Sequence, residues 1–133
     1  KINDIDADLI AEHGVVPEGA LNLIDTLIQD GDCLVSHNAS FHLRVLKAFY
    51  FRLGRDFPDV STKCLQTDGT EVCKIFFNPD EPEDSDYKKP TLNEMKAVFN
   101  IPNEASKIDS LVAIYEEMKD VLNEERPIKP AGF

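Results

Sequence analysis

The sequence predicts an α/β fold, mostly helical, with a short parallel-sheet remnant. Three observations lead there. Ala20, Leu21, Leu23, Ile24, Leu27 and Ile28 recur at spacings of three and four, the period of a helix with one apolar face. Cys33-Leu34-Val35 is a short apolar run between turn signals, as in a buried strand. Phe41, Val45, Leu46, Phe49 and Leu53 then return to helical spacing. A helix, a strand and a helix in close succession is the rhythm of a domain built on a parallel sheet.

Taken in order, the first sixteen residues are polar and predict irregular chain, with His13-Gly14 as a turn. Pro17 suits a first helical turn and Gly31 a helix stop. Ser36 to Ser40 form a polar hinge before the second helix, Phe41 to Leu53, which Gly54 ends. A short strand is expected within Asp59–Leu65 and a short helix over Thr70–Phe77. Asn78 to Pro90, rich in proline and acid, reads as an exposed loop. Thr91 and Glu94 have the spacing of a capping box for a helix to about Phe99. The last helix covers roughly Glu104 to Asn123, with Ile108, Leu111, Val112, Tyr115, Met118 and Leu122 as its core face. Residues 124–133, with two prolines, read as a loose tail, which leaves residues 1–123 as the domain.

Composition bounds the function. The 133 residues carry 25 acidic and 14 basic side chains, a net charge of −11. Such a surface, if uniform, repels phosphate backbones and excludes binding by a basic coat. A local site remains compatible with nucleic acid where metal ions supply positive charge. Cys33, Cys64 and Cys73 lack metal-ligand spacing and read as reduced, buried small hydrophobes, which with the absence of a membrane-span pattern points to a cytoplasmic protein.

The densest chemical signal is Ser36-His37-Asn38-Ala39-Ser40-Phe41-His42, at a strand end opening a helix, where open α/β sheets place ligands. His37, Asn38, Ala39, Phe41 and Leu46 resemble the second motif of the DEDDh 3′–5′ exonucleases, H-N-A-x-F-D-x-x-x-L. This RNase H-like family includes the proofreading subunit of bacterial replicases. His42 stands where that family has a metal-binding aspartate. Val60-Ser61-Thr62 lies where it has a hydrophobic residue and Asp-Thr, and Phe99-Asn100-Ile101 looks like its Leu-Gly-Ile turn. In the third motif, H-x-A-x-x-D, Asp109 matches, Glu104 fills the histidine slot and Ser106 the alanine slot. The tyrosine variant's slot is Ala105, and Asp4-Ile5-Asp6 does not reproduce the D-x-E first motif.

The resemblance implies the C-terminal portion of an RNase H-like exonuclease fold that cuts nucleotides from a DNA or RNA 3′ end, with Mg²⁺ or Mn²⁺ as cofactor. On it, Asp109 is a metal ligand, Glu104 and His42 fill the base and third-carboxylate slots, and His37, Asn38 and Phe41 shape the terminal-nucleotide pocket. The partners implied are a single-stranded 3′ end and a complementing N-terminal segment or replication protein. Histidine is a softer and less anionic ligand than aspartate, and a glutamate is normally ionised where a histidine titrates, so weak or no activity is expected. A non-catalytic module on the same fold, binding nucleic acid or protein, is the alternative; an unrelated α/β domain is the third. Each residue also has an ordinary reading. His37 and Asn38 can satisfy a turn, His42 can pack, Asp109 can be solvated, and Glu104 can complement a helix dipole. Phe41, Phe49, Tyr50 and Phe51 read as core or near-core aromatics rather than as a stacking platform.

Overall fold

The computed structural model describes residues 4–31 and 33–123. It is mixed α/β and mostly helical: α1 (Ala7–His13), α2 (Pro17–Asp30), β1 (Leu34–Ser36), α3 (Ala39–Arg52), β2 (Thr62–Cys64), α4 (Leu65–Cys73), α5 (Leu92–Val98) and α6 (Lys107–Asn123). β1 and β2 pair as a two-stranded parallel sheet. The chain divides into two compact units. One holds the residues through Leu34 with Arg44–Ser61; the other holds Val35–Leu43 with the chain from Thr62 onward.

In the first unit, α1 replaces the irregular opening that the polar sequence predicts. Its Asp6 side chain accepts from the Leu9 N–H at 2.9 Å, and it buries no residue. A local cap makes this helix, so no core stripe announces it. On α2 only Leu21 is fully buried, while Leu23 and Leu27 are exposed. Fully buried Tyr50 of α3 meets α2 through Asp25 and meets Phe57 edge-on, with ring centroids 5.2 Å apart. Gly54, at φ 67°, lets the Arg55 N–H return to the Tyr50 carbonyl at 3.0 Å and close the helix. Phe51, read as near-core, is instead 84% exposed; Phe41, in the second unit, is also exposed.

In the second unit, Leu65, Met95, Ile114 and Met118 form the buried core, joined by partly buried Val35, Leu111 and Tyr115. α4 starts five residues before the predicted Thr70. Gly69 is buried mid-helix, where a Cβ would lie 2.6 Å from Met95 Cε. Glycine serves close approach here. The Thr91–Glu94 capping box is formed at 2.8 and 3.2 Å. Beyond the end of α5 at Val98, Asn100 has a φ of 55°, which allows the Ile101 N–H to reach the Lys96 carbonyl at 2.8 Å. Ile108 and Val112 of α6 are exposed, not core, and Ile114 takes the inward position. The sequence offers apolar residues around more of this helix than its neighbours cover. The Leu122 side chain and residues 124–133 lie outside the described residues. All three cysteines are half-buried rather than enclosed. The expected loop carries one 3₁₀ turn, Pro82–Asp84, and Phe76, expected in a helix to Phe77, lies beyond the end of α4 at Cys73 and bridges antiparallel to Tyr87.

Candidate functional site: the strand-to-helix turn

β1 ends at Ser36, and the chain turns through His37 and Asn38 into α3. Asn38 adopts φ 60°, a left-handed conformation that asparagine tolerates better than most residues. Its carbonyl accepts from the Phe41 and His42 N–H groups at 3.2 and 3.3 Å, which starts the helix. Ala39 is buried, and its N–H donates to Cys64 Sγ at 3.3 Å. At 4% exposed, this position suits a small side chain. This is the local reason for a small residue in the H-N-A segment.

His37 is half-buried, and its Nε2–H donates to the Pro90 carbonyl at 2.9 Å. Gln66 Nε2 donates to the same oxygen at 3.4 Å. Because a carbonyl only accepts, this bond fixes the His37 tautomer with the proton on Nε2. An open groove of 710 Å³ is lined by Thr67, Thr70 and Glu71 of α4 and by Phe77, Tyr87 and Lys89. That groove offers aromatic, hydroxyl, ammonium and, through Glu71, carboxylate groups, and no residue of the turn lines it.

His42 and Phe41 are exposed on the first turn of α3. His42 Nδ1 is hydrogen-bonded to Ser36 Oγ, and its ring meets that of Phe41 edge-on at 5.6 Å. Asp109 lies in the first turn of α6. It accepts from Ser106 Oγ at 2.7 Å, and its own N–H donates to that hydroxyl at 3.1 Å. Glu104 is exposed in the turn before α6. Buried Lys96 supports that turn from beneath, donating to the carbonyls of Asn103 at 2.8 Å and Ala105 at 3.3 Å.

β1 and the opening of α6 are neighbours: Val35 shares a 250 Å³ apolar groove with Ile108, Leu111, Val112 and Tyr115. The strand leading into His37 and the helix carrying Asp109 therefore flank one cavity. Among the described residues, no three His, Cys, Asp or Glu side chains are grouped to hold a metal ion. With Asp109 engaged by Ser106 and His42 by Ser36, these residues do not by themselves form the oxygen-rich donor set that Mg²⁺ or Mn²⁺ requires.

Cys64 is the thiol with altered acidity at this turn. Burial pushes it up, but hydrogen bonds from the Thr67 hydroxyl and the Ala39, Thr67 and Gln66 N–H groups outweigh burial and lower its pKa. Cys73 moves the other way, raised by burial and then by the Glu94 charge. Sequence reasoning missed Ser36, Cys64 and Pro90 as partners of the turn, since only folding brings the latter two beside it. No helix among the described residues is long and apolar enough to cross a membrane. In comparison with known proteins, no family model, curated protein or solved structure matches the chain.

Proposed function

We propose that this chain binds the single-stranded 3′ end of DNA or RNA at the His37-Asn38 turn, on an exonuclease-like fold in which hydrolysis is weak or absent. The observation that carries this reading is the shared groove between Val35, leading into the turn, and Ile108, beside Asp109. It puts the two segments that resemble exonuclease motifs next to each other. Phe41, exposed at the helix start, offers an apolar face to a terminal base, and the Asn38 side chain offers amide donors and an acceptor. His37 acts through position, since its Nε2 proton is committed to Pro90. Hydrolysis on this reading needs carboxylates beyond Asp109 and so a further polypeptide segment, with Mg²⁺ or Mn²⁺ as the ion.

The test is fluorescence anisotropy with a linear single-stranded oligonucleotide bearing either a free or a blocked 3′ hydroxyl. Tighter binding of the free end, weakened by Phe41→Ala, is expected. Equal binding of both ends, or none, overturns the reading. Incubation of a 3′-labelled oligonucleotide with Mg²⁺ or Mn²⁺ is expected to leave it nearly intact, and robust shortening abolished by Asp109→Ala overturns the claim of weak hydrolysis.

A second reading, a protein-interaction module, is favoured by the apolar groove itself. Ile108 and Val112 stand exposed along it, and a polypeptide laid there would cover them.

A further inference from the structure

From Cys33 to Arg55 the chain contains none of its 25 acidic residues and four of its 14 basic ones. Most of this stretch is α3. Within Arg44–Arg52, the side chains of Arg44, Val45, Lys47, Ala48, Phe51 and Arg52 are all exposed, Phe51 at 84%. At 100° per residue these six positions fall within an arc of about 160°, and Arg44 and Arg52 stand about 12 Å apart along the axis. One face of one helix thus carries only positive charge, around a protruding aromatic ring, in a chain of net charge −11.

We infer that this face of α3 is a binding site for the backbone of a single nucleic-acid strand, with Arg44, Lys47 and Arg52 on phosphates and Phe51 stacked on a base. Three features fit a strand better than an acidic protein. The apolar part is short, ending in arginine at both limits, where a docking helix needs a continuous apolar seam. The surface is convex and one helix wide. Every base has a π-face for Phe51, so the contact is independent of sequence. The inference rests on the nucleic-acid reading above only for its class of ligand; it needs no 3′ end.

That difference supplies the experiment. A fluorescent circular single-stranded DNA, which has no end, is titrated by anisotropy at several salt concentrations. Binding is expected, with a log–log salt slope of about −2 for three phosphate contacts. Arg52→Glu and, separately, Arg44→Glu are each expected to weaken it and reduce the slope by about one. Phe51→Ala is expected to weaken it at least about fivefold. Thermal unfolding of each variant separates lost binding from lost folding, and Phe51, being exposed, is the substitution least able to disturb the fold. No binding of the circle, or binding unchanged in folded variants, overturns the inference. So does polyglutamate binding the same face as tightly as the circle, which would assign it to an acidic protein. A circle that fails to bind while a free linear 3′ end binds sinks this inference alone. A circle that binds through α3 with no preference for 3′ ends sinks the end-binding reading alone.

Discussion

The Tyr50 hydroxyl donates to the Asp25 carboxylate at 2.6 Å, and Arg55 holds the other oxygen of the same carboxylate. Arg55 also donates to Asn22 at 2.9 Å and stands over the Tyr50 ring at 5.6 Å, so two helices and the chain after α3 share one polar junction. Tyr50→Phe keeps the ring and removes the donor. A loss of about 1.5–3 kcal/mol is expected, the range for a hydrogen bond to a charged group, read from the urea midpoint.

The same junction sets an alkaline limit. Burial first, then the hydrogen bond and charge of Asp25, push Tyr50 from 10.0 up to about 12, while Arg55 acts in the opposite direction. A group whose pKa is raised by folding stabilises fully below its unfolded value, and that contribution is lost as pH rises through the folded value. The wild-type urea midpoint is expected to fall between about pH 10 and 12 more steeply than that of Tyr50→Phe. Parallel curves would refute this.

At the turn itself, Asn38 has φ 60°. Asn38→Gly is expected to be close to neutral in thermal unfolding, whereas Asn38→Ala costs about 1 kcal/mol because the Cβ opposes the left-handed region. Equal stability of the two variants would count against a backbone role.

On the acid side, the Lys88 ammonium, hydrogen-bonded at 2.6 Å, holds Glu94 below the usual carboxylate range, helped by the Thr91 N–H. Folding lowers this pKa, so the stabilisation is present above about pH 4.5 and fades as pH falls. Glu94→Gln is expected to flatten that acid-side decline. Thr91→Ala removes the cap and is expected to cost about 1 kcal/mol at neutral pH, seen in a denaturant titration.

Lys96 is the buried cation beneath the turn that carries Glu104. Lys96→Met keeps the apolar stem and leaves two carbonyls without their donor. A cost of about 2 kcal/mol is expected, together with faster amide exchange at Asn103 to Ser106.

Much of the fold was legible in local chemistry. The Thr91–Glu94 spacing gave the α5 cap, Gly54 the end of α3, and the Cys33–Val35 run the first strand to within one residue. What escaped depended on distant partners. Ile108 reads as core until the neighbours of α6 are known to leave it bare, and the first turn of α4 goes unread until Leu65 is seen packed against Met95, Ile114 and Met118. The same holds at the site. Val35, two residues before His37, and Ile108, beside Asp109, line one cavity, but the partners of His37 and Asp109, Pro90 and Ser106, make both residues supports of the chain as well as candidate contacts. Phe41 and Phe51 look like core aromatics because composition does not say which face a helix turns to solvent.

The His37–Pro90 bond spans 53 residues of chain. Closing so long a segment is entropically costly before its contacts form, and non-local contacts of this kind slow folding. The anchor of the His37 ring therefore forms only once Pro90 has been brought back to the turn. Removing the chain from Pro90 onward would remove the acceptor of this bond. The candidate site is in this sense a product of late assembly, and its completion reports on the integrity of the second unit.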